Sequence, residues 1–438
     1  MQKVLIANRG EIALRIVRSC REAGIQTVGA YASVDKDLLH LKYADEIVCV
    51  SRDDYLCREN IIAAAQVSGC DAIHPGYGFL AEDAEFCRMV EEEGLTFIGP
   101  TSQQIAEMGD KIRARETFEK LGLNPVPGSG GEVLDLDAAT KIAQDIGYPM
   151  LIKAAFGGGG RGIRVVTSET QFVEAFAEAK AEAESAFGDG AVYIEKFLDN
   201  ARHIEVQILG DGEGNAIHLG TRECSVQRRQ QKVIEEAPAP NIDADQIDAL
   251  CARAVAAVAK FHYRNAGTLE FLYQDDEFYF LEMNTRIQVE HPVTEAVTGR
   301  DLIGLQLQTA DEGRMSLTQD EICIRGCAIE CRVNAEDDQY RPSPGLVSNV
   351  TFPGGAGVRV DSHLYAGYAV PHQFDSLVAK LISWDSDRSG AIRKMNRMLG
   401  EFQVDGIASN KSKLVEVINH RKFLQGMINT RFLDQLSE

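Results

Sequence analysis

The stretch Leu281-Glu-Met-Asn-Thr-Arg-Ile-Gln-Val-Glu-His-Pro292 sets a charged or amide side chain at every second position. These are Glu282, Asn284, Arg286, Gln288 and Glu290, with Met283, Thr285, Ile287 and Val289 between them. Alternate side chains of an extended strand point to one face. A strand here would place two carboxylates, two carboxamides and a guanidinium in one row. Carboxylate and carboxamide oxygens suit Mg²⁺, and a guanidinium grips an oxyanion in its fork. An amphipathic strand with one wet face gives the same alternation. Against that reading, Phe278 and Phe280 share the parity of the polar row and carry it into apolar surroundings.

Working outward, Gly267–Tyr273 and Glu277–Glu282 read as a hairpin. If Asp275-Asp276-Glu277 is a three-residue loop, Gln274 faces Phe278 and Glu270 faces Glu282. Directly opposed carboxylates repel unless a cation sits between them. That is the strongest argument in the sequence for a metal. A two-residue loop would shift the register and break the pairing.

Upstream, residues 3–8, 26–32, 71–74 and 95–100 read as short strands. They alternate with helices at about 11–23, 59–68 and 82–93. This βαβ spacing predicts a doubly wound parallel sheet over residues 1 to about 105. The turn Pro75-Gly-Tyr-Gly78 follows a strand, where such sheets place ligands; no dinucleotide-binding glycine fingerprint is present. A helix near 136–146 leads to Gly147-Tyr-Pro-Met-Leu-Ile-Lys153 and then Gly157-Gly-Gly-Gly-Arg-Gly162. Backbone N–H groups of such a run can wrap a phosphate. Flanked by Lys153 and by Ile163-Arg-Val-Val166, it makes a glycine hairpin, though not a Walker loop. Ala191–Leu198 has the size of a strand leading into a connecting segment. His203–Leu209 and Ala216–Gly220 form a further hairpin about the turn at 211–215. Gln227-Arg-Arg-Gln-Gln-Lys232 concentrates positive charge, as a solvated face or as an anion funnel. A helix spans about 244–261. Beyond 320 come short strands and turns, with a helix near 389–402.

The whole-chain quantities set bounds. A chain of 438 residues with 45% hydrophobic and 25% charged residues is ordinary globular material for two or three domains. A net charge of −21 argues against nucleic acid as a partner. The opening residues turn polar too quickly for a signal peptide, and no apolar run reaches membrane-span length. The expectation is a cytoplasmic protein with reduced thiols. Cys323, Cys327 and Cys331 read as small apolar packers in a buried strand from Ile322 to Val333 rather than as metal ligands.

Taken together, Met108-Gly-Asp-Lys111, Lys153 with its glycine hairpin, Glu195-Lys196, Glu270 and Glu282–Pro292 resemble the ATP-grasp enzymes. Ile6–Arg15, His74–Leu80 and Cys331–Asp337 narrow the resemblance to the biotin carboxylases, the ATP-dependent components of acetyl-CoA carboxylase and related enzymes. It runs essentially from end to end. The implied fold is mixed α/β and α+β. An N-terminal doubly wound parallel-sheet domain (1–110) comes first, then an ATP-grasp lid region (111–200) and an ATP-grasp core (201–320). A mainly antiparallel β region with helices closes the chain (321–438).

The resemblance also implies roles. Lys111, Lys153 and the backbone at Gly158, Gly159 and Gly160 would hold the phosphates of ATP. Glu195, Lys196, Leu198 and Leu272 would meet adenine, and His203, Gln227 and Gln230 the ribose. Glu270, Glu282 and Asn284 would hold two Mg²⁺ ions, or Mn²⁺. Lys232, Arg286, Gln288 and the backbone of Val289 would cradle bicarbonate. Glu290 would act as base, Arg332 would stabilise the biotin enolate, and Tyr77 would line the biotin side. Two departures stand out: Phe156 where the family's glycine run usually begins, and Gln230 in place of a frequent histidine. A Met-Lys-Met biotinylation sequence is missing; Lys394-Met395 comes nearest. The biotin carboxyl carrier and the carboxyltransferase are therefore expected on separate chains, and a homodimer is carried over from the family. Two other readings remain: a related ATP-grasp carboxylate ligase, and a catalytically retired nucleotide-binding protein. The final carboxyl acceptor, acetyl-CoA, pyruvate or another, is not legible.

Overall fold

The computed structural model describes residues 1–436 except 134, 155–162 and 189. Near the N-terminus, a run of small and branched apolar residues makes strands buried on both faces, as a parallel sheet requires. β1 (Lys3–Ile6), β2 (Gln26–Ala32), β3 (Glu46–Ser51), β4 (Ala72–His74) and β5 (Thr96–Phe97) pair in the order β3-β2-β1-β4-β5, all parallel. Strand alternation sends Val4 and Ile6 into one core with α1 (Gly10–Glu22). Leu5 and Ala7 go into another with α2 (Arg58–Val67) and α3 (Ala84–Glu92). The sequence reading passed over β3. It is an edge strand with Ile47 and Cys49 exposed, although Ile47-Val-Cys-Val50 is an unbroken apolar run.

Two helices follow, α4 (Ser102–Gly109) and α5 (Lys111–Lys120), then α6 (Leu136–Ile146). A three-stranded antiparallel sheet comes next: β6 (Met150–Ala154), β7 (Ile163–Val166) and β8 (Val192–Lys196), in the order β7-β6-β8. It packs on α6 and on α7 (Glu169–Phe187). The glycine run and Phe156 lie outside the described residues.

The largest element is an eight-stranded antiparallel sheet. It contains β9 (Arg202–Asp211), β10 (Ala216–Arg228), β11 (Gln231–Ala237), β12 (Arg264–Gln274), β13 (Glu277–Asn284) and β14 (Cys327–Asn334). Its order continues through later strands. Between them stand two small pairs, β15 (Gly345–Leu346) with β18 (Ala369–Val370), and β16 (Asn349–Thr351) with β20 (Gln403–Asp405). With β17 (Val358–Ser362) and β19 (Leu377–Asp385), the sheet runs β13-β12-β9-β10-β11-β14-β19-β17. One hydrogen-bonded surface therefore joins the central segment to the C-terminal one. α8 (Ala244–Lys260) covers the β9–β10 side. α9 (His291–Thr298) and α10 (Leu302–Glu312) follow β13, and α11 (Arg388–Glu401) packs on β19.

The β12–β13 hairpin corrects the predicted loop. Asp275 and Asp276 alone form it, both at positive φ (54° and 62°), so Gln274 pairs with Glu277 and Tyr273 with Phe278. Two consecutive positive φ values match the twist of the flanking strands. Glu270 nevertheless lies opposite Glu282, because the register slips between the Phe271–Phe280 and Glu270–Glu282 pairs, leaving Leu281 as an extra residue. The bulge also reverses the expected parity. Phe278 and Phe280 point with Phe271 into the core under α5 and α8, while Glu282 points with Glu270 to the opposite face. β13 ends at Asn284, so one strand does not carry the row to Glu290. A bend leads instead to α9, which has Pro292 in its first turn, where its missing N–H costs nothing.

The cysteine reading needs a similar correction. β14 begins only at Cys327; Cys323 is exposed, Cys327 half-buried and Cys331 buried. All ten cysteines are free thiols, and no helix among the described residues is long and apolar enough to cross a membrane.

Phe280 sits 4.9 Å from the Phe118 ring and 6.0 Å from that of Phe271, at 1% exposure beside the bulge. Phe280→Ala should cost about 3–5 kcal/mol, read as a lowered urea midpoint.

Candidate active site

The cavity of about 990 Å³ lies where the three sheets meet. Lysine and glutamate organise its floor. Lys232, on β11, extends its ammonium among three carboxylates: Glu205 of β9, in very close contact, Glu270 of β12 at 2.8 Å and Glu290 at 2.8 Å. Burial by itself would push the ammonium down, but the three carboxylates carry it well above the usual lysine range. Glu290 precedes the first turn of α9, its side chain making no capping hydrogen bond, and is 2% exposed. Burial pushes its carboxyl up; Lys232, and Arg332 at 2.9 Å, more than offset this and hold it ionised below the ordinary value.

Beneath this layer lies Arg222 of β10, completely buried. It donates to Glu205, to Gln207 (2.6 Å), to Thr294 (3.0 Å), to Thr268 (3.1 Å) and to Gln288. Gln288 in turn donates to Glu270 at 2.7 Å. His203 stands 3.1 Å from Glu270 and 3.3 Å from Glu205, and is hydrogen-bonded to Gln227 at 3.1 Å. Although burial disfavours its charge, these carboxylates raise it to about 9.

The donors themselves bear on the presence of a metal. The Glu282 carboxylate makes no ion pair or hydrogen bond among the described residues, and burial together with the facing Glu270 raises its pKa against the more distant pull of Lys111 and Lys232. Two opposed carboxylates, one of them unneutralised, form an oxygen site suited to a hard divalent cation. Asn284 fits less directly: its amide nitrogen donates to Glu270 at 2.8 Å and its oxygen accepts from Arg286 at 2.8 Å. To offer that oxygen to a metal, the carboxamide must turn away from Arg286. Arg286 also holds Glu82 at 2.8 Å, reaching across to the N-terminal unit.

On the other wall, Asp110 caps α5 by accepting from Ile112 and Arg113, which sets Lys111 on the first turn facing the cavity. Lys153 of β6 enters beside it, its ammonium against Glu195. Glu195 is 3% exposed and also pairs with Arg115, so its carboxylate lies behind the wall. Lys196 is exposed, with its backbone N–H bonded to Pro127. Leu198 and Leu272 line the apolar end together. Gln230 sits at the tip of the β10–β11 hairpin at φ 65°, on the cavity rim. Gly158, Gly159 and Gly160 lie outside the described residues.

At the opposite end, Arg332 of β14 is aimed by Glu235, its Nε donating at 2.6 Å, and by Glu290. Tyr77 approaches from the turn after β4 and donates to Glu11. Glu235 faces Glu330 across β11 and β14, and both are completely buried. Burial raises Glu235 to about 7 against the pull of Arg332. Glu330, with neither oxygen hydrogen-bonded, is pushed well above the usual carboxylate range by burial.

The sequence reading missed Glu82, Glu205, Arg222 and Glu235. A signal existed for two of them. His203, Glu205 and Gln207 alternate through an otherwise apolar strand, the pattern that drew attention to Glu282–Glu290. Arg222 sits likewise in what turned out to be a longer β10 than predicted. Glu82 and Glu235 gave none, since their partners come from distant segments.

Comparison with known proteins agrees with this layout. Residues 1–105 match the family model described as biotin carboxylase, N-terminal domain. Residues 110–318 match the carbamoyl-phosphate synthase L chain, ATP binding domain, and residues 330–435 the biotin carboxylase C-terminal domain. The chain is 51% identical to the biotin carboxylase of Pseudomonas aeruginosa, covering 99% of this chain and 98% of that protein. It is 46% identical to a pyruvate carboxylase component of Methanothermobacter thermautotrophicus, covering 99% and 89%. Among solved structures, it resembles the biotin carboxylase–β-γ-ATP complex from Campylobacter jejuni (TM-score 0.96, 43% identity, 99% and 98% covered). It also resembles the biotin carboxylase domain dimer of Hydrogenobacter thermophilus 2-oxoglutarate carboxylase with MgADP, ADP and bicarbonate (TM-score 0.94, 43% identity, 100% and 98% covered).

Arg222→Ala would leave Glu205 short of a partner in a dry environment. A loss of about 3–5 kcal/mol in unfolding free energy is expected. Arg222→Lys should not restore it, because a single ammonium cannot reproduce the fork. Chemical denaturation of both variants checks this.

Proposed function

This chain belongs to the biotin carboxylase family, and from that premise we propose that it carboxylates biotin at the expense of ATP and bicarbonate. The observation that carries the reading is the succession along one cavity. A cationic wall (Lys111, Lys153) meets an acidic pair (Glu270, Glu282), then an anion cradle with a base (Lys232, Arg286, Gln288, Glu290), then Arg332 and Tyr77.

In this reading ATP lies with its base at the apolar end, against Leu198 and Leu272. The strand-end backbone near Glu195 and Lys196 is left to read the adenine edge, since the Glu195 carboxylate is already paired. His203, Gln227 and Gln230 stand on the ribose side. Lys111, Lys153 and the glycines 158–160 hold the phosphates. Glu270, Glu282 and Asn284 would hold Mg²⁺, which would supply charge neutralisation at the terminal phosphates. Phosphoryl transfer needs such neutralisation and positioning more than covalent help.

Lys232, Arg286, Gln288 and the Val289 backbone orient bicarbonate. Glu290, held ionised, takes its proton as the oxygen attacks the γ-phosphorus, releasing ADP and forming carboxyphosphate. Carboxyphosphate breaks to CO₂ and phosphate. The phosphate takes the ureido N–H proton of biotin, whose nitrogen then attacks CO₂. Arg332 stabilises the negative oxygen that develops on the ureido group, and Tyr77 lines that side. Glu235 enters here as the group that aims Arg332.

We place the activity in the cytoplasm, in the first half-reaction of an acetyl-CoA carboxylase, with the chain as a homodimer. Carrier and carboxyltransferase are separate chains. Lys394 supports the separate carrier: its ammonium is tied down by the Trp384 carbonyl at 2.6 Å and by Asp385 at 3.0 Å, so it is no free site for biotin. The division into units at 110, 200 and 320 belongs to the same proposal. The carboxyltransferase that co-purifies will identify the acceptor.

Purified protein should hydrolyse ATP only with bicarbonate present and faster with free biotin; turnover indifferent to bicarbonate would sink the reading. EDTA should abolish this turnover and added Mg²⁺ restore it. Arg332→Ala should slow biotin carboxylation by about 10²-fold or more, as loss of one preorganised donor does, measured as fixation of labelled bicarbonate.

A further inference from the structure

Lys380 of β19 is completely buried, yet it does not touch the cavity. Its ammonium donates to the Val289 carbonyl at 2.8 Å and pairs with Glu11 at 3.1 Å. Glu11, on the first turn of α1, accepts the Tyr77 hydroxyl with the same oxygen; its second oxygen has no partner. The ammonium thus joins α1 to the bend between β13 and α9, and Glu11 links both to the turn after β4. Lys380 also lies directly across from Arg332 on one side and Asp361 on the other. Burying a lysine is costly, and here its hydrogen bonds and ion pair offset that cost while tying these segments together.

We propose that Lys380 is a positioning residue that fixes the backbone of the bicarbonate cradle at Val289 and, through Glu11, ties it to Tyr77 at the biotin end. This rests on the reading of the cavity given above. A ureido ring settling against Tyr77 then restrains Glu11, Lys380 and the Val289 peptide together. Ordering one end lowers the cost of ordering the other, which is a coupling between the two substrate sites. Lys380 touches neither substrate.

The test uses the full-length protein and steady-state ATP turnover over a matrix of bicarbonate, ATP and free biotin. Lys380→Met should raise KM for bicarbonate roughly 10- to 100-fold, the worth of a hydrogen bond to a charged group, with KM for ATP within twofold. The stimulation by biotin should fall toward none. If Lys380→Met does not fold, Lys380→Arg and Glu11→Gln serve: the first keeps the charge but changes its reach, the second keeps an acceptor for Tyr77 but removes the ion pair. Each should show the same selective shift, and the double variant should fall short of the sum of the singles, as residues in one network do. Bicarbonate KM within twofold of the unsubstituted protein in the folded variants, or bicarbonate and ATP KM rising together, overturns the proposal. Turnover in the unsubstituted protein that ignores bicarbonate overturns the underlying reading instead.

Discussion

The ammonium of Lys232 among Glu205, Glu270 and Glu290 is the interaction on which the cavity depends. Three carboxylates converging from β9, β12 and the start of α9 would repel one another in a site this dry. The lysine and, one layer down, Arg222 make the cluster tolerable. Glu270 and Glu290 share the same ammonium, and their second oxygens meet His203 and Arg332 at the cavity wall. Glu282 stands outside this balance. Among the described residues its carboxylate has no ion pair, which is why the proposed cation is placed against it.

The architecture explains how such a cluster forms reproducibly. Antiparallel neighbours in the eight-stranded sheet place Glu205 beside Glu270, and the Leu281 bulge brings Glu282 back opposite Glu270 after a two-residue turn. The same bulge lets one strand bury its phenylalanines on one side and present its carboxylate on the other. Past Asn284 the chain leaves the sheet, and the bend gives Arg286, Gln288 and Glu290 directions that no straight strand could. The bend is thereby held by side chains from segments distant in sequence: Glu82 on Arg286, Arg222 on Gln288, and Lys380 on Val289.

Much of this was legible in local patterns. The parallel N-terminal sheet follows from buried runs spaced by helices, and the Glu270–Glu282 apposition was inferred from alternation, though through the wrong loop. Two errors there, a three-residue turn and an unbroken strand, cancelled for the pairing. They did not cancel for the phenylalanines, whose side of the sheet was assigned wrongly. The edge strand β3 was passed over although Ile47-Val-Cys-Val50 is apolar throughout, and its exposed edge position is set only by packing. Cys323 was drawn into β14 because apolar spacing says nothing of where hydrogen bonding begins.

What the sequence by itself determined was the inventory: which strands are buried, where polar side chains alternate, which motifs match the family, and so which residues gather in a cavity. Tertiary structure alone decided the state and the partners of those residues. Glu235 and Glu11 are ordinary glutamates until Arg332 and Lys380, about a hundred or several hundred positions away, are set against them. Strand periodicity is a property of neighbours along the chain. An ion pair's strength depends on burial and on which opposing charge arrives, and both are settled only when distant segments pack.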